Sequence, residues 1–170
     1  MVSAVESTTV APGVATTAKR RDDGQLQPLV AEALRRGLEQ VHGSGAALQP
    51  FLLCADGTLE YLFGDSHCHP IELAARLLLA GSRASDAAAL ALAMGTRLTT
   101  PAGRQAQAVL VLACARTGGD AEVWAQAYRP RRWYRAFCAE GEPWRVGAAV
   151  NLFRAAEDRG DSPAPLVLEL

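Results

Sequence analysis

The chain has 170 residues, 49% of them apolar and 21% charged, enough for one buried core and too ordinary a balance for a fibrous or wholly disordered protein. Its net charge of −1 exerts no long-range pull on DNA, RNA or anionic lipid, so nucleic acid is not an expected partner. Lys19 is the one lysine among many arginines, which, with abundant Ala and Leu, points to a GC-rich bacterial coding sequence rather than to a chemistry.

Residues 1–25 have no period that buries a face, and the basic triplet Lys19-Arg20-Arg21 is offset by Asp22 and Asp23. A disordered tail is expected there. Glu6, Ser7, Thr8, Thr9 and Pro12 interrupt the early apolar residues, which argues against a secretion signal. No uncharged apolar run approaches the ~20 residues that span a bilayer, and a cytoplasmic protein without a membrane partner is expected.

A single domain is expected over 26–155. Leu26, Val30, Ala33, Leu34, Leu38 and Val41 follow a helical spacing, with Pro28 in the first turn and Gly43-Ser44-Gly45 as the stop. His42 falls in the last turn, where a partly positive imidazole suits the helix dipole. Two short apolar runs, Phe51 to Cys54 and Leu59 to Phe63, flank Asp56-Gly57 and predict a β-hairpin. Pro70 to Ala80, closed by Gly81, predicts a second helix.

Between 87 and 100 the alanines favour helix, yet Leu90, Leu92, Met94, Thr96 and Leu98 recur at every second residue, and this period predicts a long strand. The unbroken run Val109 to Leu112 predicts a central strand covered on both faces. Gly118-Gly119 turns the chain into a return strand from Ala121 to Tyr128, ended by Pro130. Trp144, Val146, Val150, Leu152 and Phe153 predict a last helix or strand, and 156–170 reads as a flexible, solvated tail. The fold class expected is therefore α+β, an antiparallel sheet of about five strands with two helices packed on one face.

Pro50-Phe51, Asp56-Gly57, Ala108-Val109-Leu110-Val111, Gly118-Gly119 and Ala127-Tyr128-Arg129 occur in an order that resembles a small bacterial α+β family without assigned activity. The resemblance covers roughly 33–137. It implies the strand over 87–100 and carries no catalytic residues.

Two segments concentrate chemistry. The first is Asp65-Ser66-His67-Cys68-His69-Pro70. Alternate residues of an extended chain point the same way, which lets His67 and His69 share one ion. The pattern resembles the H-x-H pair opening the TatD-type and related amidohydrolases, which implies a divalent metal on a (β/α)₈ barrel. This chain offers too few further donors, and about 100 residues after the motif, too few for such a barrel of ~200 or more. The match is read as coincidental. A smaller zinc site would use His67, His69, Asp65 and Cys68, with His42 or Cys138 as a further ligand. The plainer reading makes Asp65 or Ser66 a local cap and leaves the histidines exposed. Cys54, Cys68, Cys114 and Cys138 show no C-x-x-C spacing and are expected as reduced thiols.

The second segment is Tyr128 to Arg135, where Arg129, Arg131, Arg132 and Arg135 surround Trp133 and Tyr134. Guanidinium groups take carboxylates in bidentate fashion, and Arg, Trp and Tyr are the residues most enriched at binding hot spots. The function expected is a non-enzymatic accessory or interaction protein that binds a protein partner through this segment and the adjoining sheet edge, with homodimerisation a further expectation. No cofactor is expected. The alternative is a small metal-dependent hydrolase or zinc-binding protein centred on His67 and His69.

Overall fold

A computed structural model describes residues 19–44, 47–64, 68–130 and 137–161. Helix α1 (Lys19–Ser44) leads into the hairpin β1 (Phe51–Cys54) and β2 (Leu59–Tyr61), followed by α2 (Pro70–Leu79) and a 3₁₀ turn at Arg83–Asp86. Four more strands come next, β3 (Ala89–Thr99), β4 (Gln105–Ala115), β5 (Ala121–Pro130) and β6 (Phe137–Ala149), and α3 (Leu152–Asp161) follows. The α+β class stands, with six strands rather than about five. All neighbours are antiparallel in the order β2-β1-β3-β4-β5-β6.

The predicted turn chemistry sets the first hairpin. Gly57 takes φ 87°, and Asp56 Oδ1 accepts the Thr58 N–H at 2.8 Å, a local bond that only a short polar side chain makes. This hydrogen bond also holds the Asp56 carboxyl below its usual range.

The helices do not share one face as expected. Leu52, Leu90, Leu92, Met94, Leu110, Leu112 and Val123 form a core with α2 and α3, through Ile71, Ala74, Leu78, Leu152, Phe153 and Ala156. Phe51, Leu53, Ala91, Ala93, Val109, Val111 and Ala113 form a second core under α1, through Leu26, Val30, Ala33, Leu34 and Val41. Alternate residues of a strand point to opposite faces, so consecutive buried positions such as 109 to 112 require a cover on each side. The structure is three-layered: α1 below, the sheet, and the α2–α3 pair above.

The side under α1 is rich in alanine, with Ala89, Ala91 and Ala93 on β3 and Ala113 and Ala115 on β4. Small side chains let a helix backbone approach, and Gly37 meets Val109 there without a Cβ. Helix α1 begins at Lys19, within the stretch read as tail, so Pro28 lies inside it, and α3 runs on to Asp161.

Candidate functional site

Of the metal-type cluster, Asp65, Ser66 and His67 lie outside the described residues. His69 is the N-cap of α2: its backbone is extended (φ −66°, ψ 139°) and its Nδ1 accepts the Ile71 N–H at 3.3 Å. His69 therefore caps α2, a role not expected of it from the sequence; the expected caps, Asp65 and Ser66, lie outside the described residues. Cys68 Sγ lies 3.7 Å from Glu72 Oε2. Among the described residues no group of three His, Cys, Asp or Glu is placed to hold a metal ion.

Glu72 has a structural partner. Arg159 of α3 donates to its Oε1 at 2.7 Å, and Arg76 stands 3.6 Å away. The Arg159 hydrogen bond, with its charge, holds the Glu72 carboxyl below the ordinary glutamate range. A carboxyl whose folded pKa is depressed adds stability above its unfolded pKa, and that stability is lost as pH falls through the folded value. The α2–α3 contact is therefore expected to loosen below about pH 4, the ordinary glutamate pKa. Melting curves between neutrality and acid should show a steeper loss for the native chain than for Arg159→Ala. Parallel losses would refute the role of this pair.

In the second segment, Tyr128 is buried on the α1 face, and burial pushes its phenol above the usual range. It does not stand at a sheet edge. Tyr128 pairs with Gln107 of β4 on one side and Ala139 of β6 on the other, which corrects the expectation of a free edge at β5. The outer strand is β6. Arg129 is exposed and pairs with Cys138. Arg131, Arg132, Trp133, Tyr134 and Arg135 lie outside the described residues, in the connection between the register partners Pro130 and Phe137.

At Cys138, the register partner of Arg129, lies a cleft of about 250 Å³ between the last turns of α1 and the start of β6, lined by Leu38, Glu39, Val41, His42, Cys138 and Ala139. The structure thus brings His42 and Cys138 to one place. It does not bring His69 there, because α2 lies on the opposite face of the sheet. Leu38, Val41 and Ala139 give the cleft apolar walls, and Glu39 at its side is ion-paired with Arg35. Two of the other three thiols are unsuited to chemistry. Cys54 and Cys114 are buried, and burial pushes both up to about 11, far from the thiolate state that a nucleophile needs.

The buried polar side chains serve the fold. Gln126 Nε2 donates to the Gly141 carbonyl at 2.9 Å and is shared with those of Glu140 and Ala127 at 3.3 Å, where β6 slips register against β5. Glu122 accepts from the Trp124 indole at 3.0 Å and faces Arg145 at 3.6 Å. Asn151 caps α3 and ties down the β4–β5 turn. Sequence reasoning missed Gln126 and Asn151. The one available signal was an asparagine immediately before the apolar pair Leu152-Phe153, a helix N-cap pattern.

Comparison with protein-family models, curated proteins and solved structures gives no match. No helix of the described residues is long and apolar enough to cross a membrane.

Proposed function

We propose that this chain is a non-enzymatic, cytoplasmic protein-interaction module that receives a partner segment along the α1–β6 cleft and the arginine-rich stretch beginning at Arg129. One observation carries the reading: the apolar cleft adjoins the Arg129–Cys138 pair, from which four guanidinium groups and two aromatics follow within seven residues of chain. Apolar walls close in sequence to a cationic stretch suit a partner segment that carries carboxylates around an apolar anchor. Gln126, Glu122 and Asn151, with their polar atoms engaged in backbone, indole or ion-pair contacts, support a binding role over a catalytic one.

The test uses partner capture with tagged native chain and an Arg129→Glu/Arg131→Glu/Arg132→Glu variant, each verified as folded by circular dichroism. Reversing three of these charges should weaken capture of a native partner by at least ten-fold, since like-charge contacts across an interface cost several kcal/mol. A folded variant that keeps every partner would remove this reading. A stoichiometric metal that disappears with His67→Ala/His69→Ala would replace it with the metal-binding one.

A further inference from the structure

The other edge of the sheet, β2, carries an unexplained apolar ledge. Tyr61 is 44% exposed and Phe63 79%, their rings lie 6.5 Å apart, and Tyr61 stands edge-on to the buried Phe51 at 6.1 Å. The hydrogen-bond pattern shows what this edge offers. Cys54 N–H donates to Thr58 O at 2.9 Å and Leu62 N–H to Pro50 O at 2.8 Å. Thr58, Glu60 and Leu62 therefore turn their backbone groups toward β1, and Leu59 and Tyr61 turn theirs outward. Soluble proteins blunt such edges with Lys, Pro, bulges or a covering segment. Of these, neither Lys nor Pro occurs between Leu59 and Gly64.

A covering segment is within reach. Arg159, in the last turn of α3, bonds Glu72 in the first turn of α2 at 2.7 Å. The next residue, Leu73, packs on Gly64, where a Cβ would lie 2.6 Å from Leu73 Cδ2. Gly64 directly follows Phe63. The end of α3 and the end of β2 are thus one neighbourhood, bridged by the start of α2. Beyond Asp161 the chain reads Ser162-Pro163-Ala164-Pro165, then Leu166-Val167-Leu168-Glu169-Leu170. Two prolines prevent the helix from continuing and favour an extended chain. Four such residues reach up to about 14 Å. The five that follow are apolar except for Glu169 and alternate Leu166, Leu168, Leu170 against Val167 and Glu169, a strand pattern rather than that of a solvated tail.

We propose that residues 166–170 dock on β2 of the same chain as a seventh, antiparallel strand, bonding the outward backbone groups of Leu59 and Tyr61 and covering the Tyr61–Phe63 ledge. The antiparallel direction follows from entry beside Gly64, since the segment then runs back toward Leu59. This edge is distinct from the α1–β6 cleft, so the proposal stands or falls independently of the partner reading.

Residue-resolved amide hydrogen exchange tests it on the full chain, on a chain ending at Asp161, and on Leu168→Asp in the full chain. The Leu59 and Tyr61 amides should exchange about ten-fold more slowly, or better, in the full chain than in either altered form, whereas Glu60, bonded to β1, should change little. Equal exchange at Leu59 and Tyr61 in the full chain and in a folded altered form would overturn the proposal. Protection that fades on dilution would also overturn it, in favour of pairing between two copies. If the shortened chain does not fold, the comparison with Leu168→Asp decides alone.

Discussion

Replacing Asn151 with alanine is expected to lower stability by about 3 kcal/mol and the melting temperature by about 10 °C. Asn151 is 1% exposed, and its amide does three jobs at once. Oδ1 accepts the Phe153 N–H at 3.0 Å, and Nδ2 donates to the carbonyls of Ala115 at 2.8 Å and Gly119 at 2.9 Å. Losing an N-cap costs about 1 kcal/mol, and leaving buried carbonyls unpartnered adds about 1–3 kcal/mol. Alanine removes the cap of α3 and the clasp on the β4–β5 turn together.

Asn151→Asp separates these roles. Aspartate keeps the accepting oxygen for Phe153 but turns a second oxygen toward two carbonyls. The neutral acid can donate one bond there and the anion none, so the folded pKa is raised above the ordinary value. The variant should therefore be closest to the native chain below about pH 4 and lose stability as pH rises through the folded pKa. Thermal melting at acid and neutral pH checks both variants. An Asn151→Ala chain melting within about 2 °C of the native one would show that the clasp contributes little.

Gly37 gives the second large effect. A Cβ there would lie 2.7 Å from Val109 Cγ1 and 3.3 Å from Cγ2. Val109 cannot yield easily, because it is fully buried in the central strand β4 and its branched side chain has little χ1 freedom. Glycine inside a helix sacrifices about 1 kcal/mol relative to alanine, and here it allows α1 to lie close on the sheet. Overpacking costs about 1–3 kcal/mol, so Gly37→Ala should destabilise by about 1 kcal/mol net and Gly37→Leu by about 3 kcal/mol.

The sign of the effect tests the cause. In a Val109→Ala background the obstruction is gone, and adding Gly37→Ala should stabilise by up to about 1 kcal/mol from helix propensity. Denaturant unfolding of the four chains in this cycle provides the measurement. A Gly37→Ala substitution that stabilises the native background would contradict the packing account.

Local chemistry made several elements legible. Asp56-Gly57 announces its hairpin because few residues tolerate the turn's backbone angles. The two-residue period of Leu90, Leu92 and Met94 outweighed the helix preference of the intervening alanines, and β3 spans Ala89–Thr99. Strand β6 was harder to see. Gly141, Pro143 and Gly147 are poor strand formers and most of its side chains are exposed, so it forms largely because β5 presents an edge to pair with. Helix α3 showed a local N-cap pattern, but the clasp that anchors its start, Asn151 Nδ2 on carbonyls 32 and 36 residues earlier in the chain, was not visible in the sequence.

Of the candidate segment, only Tyr128 and Arg129 lie among the described residues. Tyr128 belongs to the core, and the residues lining the cleft, among them Leu38, His42 and Ala139, come from elements far apart in the chain. His69 shows the converse, a residue selected for metal chemistry whose geometry is that of a cap.

By itself the amino-acid order determined the α+β class, the hairpins and the buried run of β4, because turn angles and side-chain alternation act within a few residues. Tertiary structure alone decided that α1 lies across the sheet from α2 and α3, that β6 rather than β5 forms an edge, and that His42 and Cys138 line one cleft. Those outcomes depend on which surfaces remain to be covered once the sheet has assembled. The unbroken apolar run at 109–112 demanded a cover on both faces, but only the assembled layers reveal which helix supplies each one.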